Sequence, residues 1–323
     1  MDVEEFLAEW RNDSSTVLVH TSGSTGKPKP MFVEKRRMEA SARITCRFLG
    51  LQPGDTALLC MPLDYIAGKM MVVRAQTCGL RLLSVAPCGH PLDTVAEPVD
   101  FAAMVPLQVY NSLQVPEERK RLMAIKHLII GGGAIDDALA RELKSFPYAV
   151  WSTYGMTETL SHIALRRLSG PEASEWYRPF EGVSLNQNDD GCLVIDAPAV
   201  HDGLLVTNDI VELSDDGFRI LGRRDNVICS GGIKIQIEEV ERLLSLHVRD
   251  PFMITKRADK KFGEQVVLLT ESKDIDAIRD VCQRVLPKYW QPHSYLHVDS
   301  LPMTETGKPA RKEAERWALN IKD

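Results

Sequence analysis

Between residues 15 and 154, short apolar runs (TVLVH, TALLCM, RLLSVA, HLIIGG and AVWSTYG) alternate with helix-like stretches at 36–49, 66–78 and 136–146. This alternation constrains the fold more than any other feature of the chain. Parallel strands need a long crossover between them, and a helix supplies it, so the pattern predicts an α/β architecture with a largely parallel sheet. In such sheets ligands bind beyond the carboxyl ends of the strands, where loops lead into helices. The segments that follow TVLVH and AVWSTYG are therefore placed for chemistry.

After about residue 181 the texture changes. GCLVIDAPAV, GLLVTNDIVEL and GFRILGRR are short strands separated by Asp, Gly and Asn turns, and they predict antiparallel β-structure. From Asn226 a smaller α+β unit is expected, with helices at 237–246, 275–286 and 311–319 and strands at 252–256, 265–270 and 295–298. The division falls near GRRDN. It gives a large domain over 1–224 with a β-rich end, and a small mobile domain over 225–323.

Composition excludes several classes. The chain has 323 residues, of which 44% are hydrophobic, and a net charge of −6, which argues against a non-specific nucleic-acid binder. No apolar run reaches the roughly 18–20 residues of a membrane helix. The start, MDVEEFLAEW, lacks a basic-then-apolar signal pattern, so a cytoplasmic location is expected. Seven cysteines (46, 60, 78, 88, 192, 229 and 282) form no C-x-x-C pair. They predict buried free thiols in a reducing compartment rather than zinc or disulfides.

TSGSTGKPKP, starting at Thr21, concentrates the means of holding phosphate. Gly23 and Gly26 permit close backbone approach, and successive amides can form an anion nest. Thr21, Ser22, Ser24 and Thr25 offer rotatable hydroxyls, and Lys27 adds charge. It is not a Walker loop: Pro28 follows Gly26-Lys27, and no glycine stands five residues before Gly26.

The string closely resembles the phosphate-binding signature of the adenylate-forming superfamily, which includes acyl-CoA synthetases, adenylation domains and luciferases. Further segments resemble that family's motifs in the same order. STYGMTET is similar to its aromatic-Gly-x-Thr-Glu motif; this implies Tyr154 against the adenine, Thr157 near the α-phosphate and Glu158 toward Mg²⁺. LIIGGGAID resembles the segment that packs on adenine, which implies roles for Gly132, Gly133 and Ala134. TNDIVEL resembles the T-G-D segment, with Asp209 on the ribose; Asn208 replaces the usual glycine and tolerates the left-handed conformation expected of that turn. LGRRDNVICSGGIKIQIEEVE resembles the inter-domain hinge: Arg223 would pair with the ribose, Asp225 would be the hinge, and Gly231-Gly232 would serve thioester formation. LPMTETGKPAR resembles the closing motif, which makes Lys308 the catalytic lysine.

The resemblance implies ATP, Mg²⁺ and CoA as reactants and cofactors, a small carboxylic acid as substrate, and no nucleic-acid or membrane partner. Size and TYGMTETLSHIALRR look most like the o-succinylbenzoate–CoA ligase branch, which serves menaquinone synthesis. A second carboxylate on that acid calls for a cation in the pocket; Lys69, Arg74 and Arg166 are candidates, with His162 as a neutral donor beside Gly155-Met156. Another acyl- or aryl-CoA ligase, an enzyme that loads a carrier protein, and a catalytically impaired nucleotide-binding relative remain open. Two departures from the family stand out. Only twenty residues precede the phosphate loop, where well over a hundred are usual, so exposed apolar surface is expected to be covered by self-association. In CMPLDYIAGKM, Asp64 and Tyr65 stand where many relatives carry an aromatic-His pair, which predicts a different substrate gate.

Overall fold

The computed structural model describes residues 1–20, 30–304 and 308–320. Two compact units divide the chain. The first comprises Met1–Asn186, Val194–Leu205 and Leu213–Arg219, and the second Gln187–Leu193, Val206–Glu212 and Ile220–Asp323.

A seven-stranded sheet organises the first unit. Its order is Arg81–Ser84, Thr56–Leu59, Phe101–Met104, His127–Ile130, Ala149–Gly155, His162–Arg167 and Arg178–Pro179. The first five strands run parallel, and the last two pairings are antiparallel. TALL and FAAM are buried at every position, as strands covered on both faces must be. The order reverses between Thr56–Leu59 and Phe101–Met104, which opens a crevice at the carboxyl edge there. Gln108 fixes that switch point: its Nε2 donates to the Cys60 and Cys88 carbonyls, and its Oε1 accepts from the Val105 amide.

TVLVH is a strand, but it does not enter this sheet, contrary to the reading that it feeds the parallel core. Thr16–His20 pairs antiparallel with Pro30–Glu34 along its whole length, from Thr16 opposite Glu34 to His20 opposite Pro30. The returning PMFVE strand satisfies its ladder locally. A parallel bridge from His20 to Tyr65 sets the hairpin's end beside the loop that leaves Thr56–Leu59.

The helix Val3–Arg11 is closed by a capping box, with Asp2 and Glu5 each accepting from the other's backbone amide. Lys35–Leu49 and Ile66–Cys78 both end on left-handed glycines, Gly50 and Gly79. The expected helix at 136–146 is shorter, Asp137–Leu143, with Asp136 as its N-cap.

A sheet in sequence order, Ser184–Gln187, Cys192–Asp196, Leu204–Ser214 and Gly217–Arg223, forms the β-rich segment, and the unit limits fall within its strands. The rest of the second unit is a five-stranded sheet. Ile233–Gln236, Val227–Ser230, Gly263–Thr270 and Phe252–Asp259 follow one another, and Ser294–His297 pairs parallel with Gly263–Thr270. Strand alternation sorts its core. Ile254, Val266 and Leu268 pack with Val240, Leu244, Ile278 and Cys282 of the helices Ile237–Ser245 and Ile275–Val285. Met253, Val267 and Leu269 pack with Ala314 and Ala318 of Arg311–Leu319. The strands thus lie between two helical layers.

The cysteines meet the expectation of buried thiols only in part. Cys46, Cys60, Cys192 and Cys282 are buried, but Cys78 is half-buried and Cys88 and Cys229 are exposed; all seven are free. Among the described residues no helix is long and apolar enough to cross a membrane.

Candidate active site

Two parallel strands of the first unit, His127–Ile130 and Ala149–Gly155, lead directly into candidate residues. Beyond His127–Ile130, Gly132, Gly133 and Ala134 are exposed, which leaves a flat backbone surface that a ring can approach. Gly132 turns there at φ +80°. Gly131 is fixed by space, since a Cβ on it would sit 2.3 Å from Thr153 Oγ1. Tyr154, on the neighbouring strand, is 7% exposed, and its ring packs against Phe218 at 4.9 Å and Tyr177 at 5.9 Å between centroids. The expected adenine platform is thus embedded in an aromatic cluster of its own unit.

The segment after Ala149–Gly155 is bent sharply. Thr157–Thr159 forms one 3₁₀ turn, and Leu160 follows at φ +63°, the one non-glycine among the described residues with positive φ. A bulky residue held there marks stored strain, which concentrates at functional sites. Thr159 holds the bend: its buried hydroxyl accepts from the Met156 amide at 3.0 Å and lies 2.7 Å from the Ser161 carbonyl. Thr157 is buried, Met156 half-buried and Glu158 exposed, and Glu158 makes no ion pair among the described residues. Gly155 is obligatory, because a Cβ would meet the Ser161 oxygen at 2.2 Å and His162 Cα at 2.4 Å. Gly155→Ala will therefore lower unfolding stability by about 1–3 kcal/mol, the usual cost of overpacking. Urea denaturation checks this; a midpoint equal to wild type would contradict the packing described.

The four candidates for holding an acid's second anionic group separate clearly. Lys69 is buried and already committed: its Nζ lies 3.5 Å from Glu9 Oε2 and 4.9 Å from the Phe6 ring centroid. The expectation of a free ammonium there fails because the helix Val3–Arg11 supplies the counter-ion. Arg166 lies over the Tyr177 ring at 5.3 Å, and its buried Nε finds no partner among the described residues. Arg74 is 2% exposed, and its Nη2 donates to Ser161 Oγ at 2.6 Å. Its Nη1 meets only the Met71 sulfur at 3.7 Å, its Nε has no partner, and no carboxylate pairs with it among the described residues. Burial pulls its guanidinium down to about 10. His162 is buried between Ser161 and Thr45; burial, and then the nearby Arg74 charge, hold its imidazole well below the ordinary value and so neutral.

In the second unit, Arg223 joins two of the predicted residues. It donates to Asp209 Oδ1 at 2.9 Å and grips Asp225 with two bonds, 3.0 and 3.1 Å. Asn208 is not in a left-handed turn. It lies within the strand Leu204–Ser214, with its Oδ1 accepting from Arg224. The strand ladder and this bond make extended backbone sufficient there. Gly231 and Gly232 do adopt positive φ, +56° and +83°. Lys308 is half-buried and makes no ion pair among the described residues; burial, and secondly the Arg223 charge, lower its pKa. Its backbone is held by Thr304, with Thr304 N donating to the Lys308 carbonyl at 2.7 Å and Lys308 N to Thr304 Oγ1 at 3.0 Å. Three residues on, Arg311 clamps Glu241 with bonds of 2.6 and 2.7 Å, and Glu241 also accepts from the Ile254 amide. Thr159, Ser161, Thr45 and Glu241 are supporting residues to which the sequence reading assigns no role; the first two and Glu241 lie inside the motif strings, and Thr45 lies outside any of them. The phosphate-loop candidates Thr21, Ser22, Gly23, Ser24, Thr25, Gly26 and Lys27 lie outside the described residues.

A family model described as AMP-binding enzyme matches residues 4–191. The chain belongs to the AMP-binding enzyme family. Among relatives of this AMP-binding chain, the 2-succinylbenzoate–CoA ligase of Salmonella typhimurium (strain LT2) is 26% identical over 333 residues, covering 97% of this chain and 71% of that protein. An acyl-CoA synthetase (AMP-forming)/AMP-acid ligase II-like protein from Dyadobacter fermentans is 32% identical, with a TM-score of 0.67, covering 98% of this chain and 93% of that one. The o-succinylbenzoate coenzyme A synthetase of Bacillus subtilis, solved with ATP and magnesium ion, superposes with a TM-score of 0.77 at 24% identity, covering 93% and 70%. The AMP-binding chain is thus shorter than those two succinylbenzoate ligases and close in length to the Dyadobacter protein.

Proposed function

We propose that this AMP-binding enzyme is an ATP-dependent carboxylate–CoA ligase whose acid is 2-succinylbenzoate. The names of its curated relatives support the reaction class. The observation that carries the choice of acid is Arg74, a buried guanidinium with no carboxylate partner among the described residues. An isolated buried cation is costly unless something anionic meets it. A substrate with a second carboxylate supplies that group, whereas benzoate or a fatty acid does not.

The reaction has two displacements. A carboxylate oxygen attacks the α-phosphorus of ATP, and the bond to the β-phosphate oxygen breaks, releasing pyrophosphate. The thiol sulfur of CoA then attacks the acyl carbon, losing its proton, and AMP leaves with the acyl–oxygen bond electrons. Most of the catalysis is positioning and charge stabilisation. Gly132–Ala134 and Tyr154 receive the adenine, Asp209 and Arg223 the ribose, and Thr157 the α-phosphate. The loop from Thr21 to Lys27 takes the outer phosphates. Lys308 neutralises charge that builds on the reacting oxygens, Asp225 serves as the pivot between steps, and Gly231-Gly232 face the thioester step. Glu158, an exposed carboxylate without an ion-pair partner among the described residues, suits Mg²⁺, which takes few protein carboxylates and fills its shell with phosphate oxygens and water. When bound, the ion neutralises triphosphate charge.

Incubation with Mg·ATP, CoA and 2-succinylbenzoate will yield the acyl-CoA thioester and AMP in equal amounts, read by mass spectrometry. Formation of the acyl-adenylate with no thioester at saturating CoA would move the assignment to a carrier-protein-loading enzyme.

A further inference from the structure

Four side chains from three separate parts of the sequence form one chain of hydrogen bonds inside the first unit. Thr45 comes from the helix Lys35–Leu49, Arg74 from Ile66–Cys78, and Ser161 and His162 from the bend into His162–Arg167. The contacts run Arg74 Nη2 to Ser161 Oγ at 2.6 Å, Ser161 Oγ to His162 Nδ1 at 3.1 Å, and His162 Nε2 to Thr45 Oγ1 at 3.1 Å. Thr45 Oγ1 closes the chain by donating to the Ser41 carbonyl at 3.0 Å.

The direction of every bond follows from proton count. Thr45 is fully buried, and its single hydroxyl proton goes to the Ser41 carbonyl four residues back. Toward His162 it can then only accept, so Nε2 carries the ring proton. A neutral ring protonated on Nε2 has an acceptor at Nδ1, and Ser161 must donate there. The Ser161 oxygen, its proton turned away, presents a lone pair to Arg74. This is the assignment that leaves no buried hydroxyl unpaired, and each bond polarises the next.

We infer that Ser161 and His162 are positioning residues for acid selection: with Thr45 they orient the Arg74 guanidinium without neutralising it, keeping its charge for the acid's second carboxylate. The inference rests on the proposed 2-succinylbenzoate specificity. A carboxylate in place of Ser161 would orient Arg74 equally well but would cancel its charge. A neutral chain ending on a backbone carbonyl orients it and leaves Nε and Nη1 unsatisfied by any oxygen among the described residues. The same bend is tied to the Thr157-Glu158 turn, since Thr159 Oγ1 lies 2.7 Å from the Ser161 carbonyl. The acid-sensing cation and the nucleotide-facing turn therefore share one scaffold.

The test uses the full-length enzyme and two readouts. Selectivity is the ratio of kcat/KM for 2-succinylbenzoate to that for benzoate in a pyrophosphate-release assay. Ser161→Ala will reduce that ratio about tenfold, through a raised KM for 2-succinylbenzoate, as loss of a charge-assisted bond does. Ser161→Thr, which keeps the hydroxyl, will restore most of it. Thr45→Val will lower the ratio in the same direction. Independently, ¹⁵N imidazole spectra of the wild-type protein, with His162 assigned by its loss in His162→Phe, will show a neutral ring protonated on Nε2. A ring protonated on Nδ1, or a wild-type preference that survives Ser161→Ala unchanged, would overturn the inference. Equal use of both acids by the wild type would instead overturn the proposed substrate, and the tautomer would then decide the hydrogen-bond chain by itself.

Discussion

Replacing Lys308 with alanine will slow acyl-adenylate formation by about 10²–10³-fold, the scale on which removal of one preorganised charge stabiliser acts. The loss will fall on kcat, with ATP binding largely kept, because the ammonium is needed as charge develops rather than in the ground state. CoA capture of a supplied acyl-adenylate will stay near wild type. The pH profile provides a second signature. In the proposed mechanism Lys308 acts as the cation, and its pKa is lowered, first by burial and then by Arg223. A lowered pKa means the proton is lost earlier as pH rises, so adenylation will decline on the alkaline side before an ordinary exposed lysine would titrate. Lys308→Arg carries a charge that persists to about pH 12 and will lose that alkaline limb, whatever its cost in rate. Equal effects of Lys308→Ala on adenylation and on CoA capture would contradict the assignment.

Arg74→Leu is expected to separate function from stability. Truncating one partner of a buried charge pair costs about 2–5 kcal/mol of binding, which is roughly 30-fold to several thousandfold in kcat/KM for 2-succinylbenzoate. In the free enzyme, however, Arg74 has no carboxylate partner among the described residues, and burial already depresses its pKa to about 10. An apolar replacement therefore relieves a desolvated charge and gives up only the Ser161 bond and the thioether contact. Thermal unfolding of Arg74→Leu will match or exceed wild type, as it does where buried ionic groups give way to packed apolar ones. A large fall in melting temperature accompanying the activity loss would make Arg74 a structural residue instead.

The features legible in the sequence are those carried by local pattern. The parallel core is readable because TALLCM, HLIIGG and AVWSTYG alternate with helical stretches, and two of the expected strands, Thr16–His20 and Ala149–Gly155, have the limits read from the sequence. The partner of Thr16–His20 is not readable. PMFVE begins at a proline and shows no clean period, so nothing local indicates that it returns to build a hairpin. FAAM, four residues between Asp100 and Val105, is too short to distinguish from a buried turn of helix until His127–Ile130 and Thr56–Leu59 flank it.

In the candidate site, Gly132, Gly155, Thr157 and Glu158 are visible because the strings that hold them resemble the family's motifs; the structure adds a steric reason at Gly155, where a Cβ would meet the Ser161 oxygen at 2.2 Å. Lys69 illustrates the opposite case. Its residue type suggests a free cation, and only the fold brings Glu9, sixty residues away, onto it. The Thr45–His162–Ser161–Arg74 chain spans 117 residues with no period at all, so no window of sequence could contain it. Asn208 shows a milder form of the same limit: its turn propensity yields to the ladder of an eleven-residue strand.

We propose that this member of the family selects a dicarboxylic acid through Arg74. The most direct measurement is acid-dependent pyrophosphate release with Mg·ATP and CoA across 2-succinylbenzoate, benzoate and medium-chain fatty acids. Release with 2-succinylbenzoate is expected to stand well above that with either monocarboxylate class. Equal turnover of all three, or preference for a fatty acid, would contradict it.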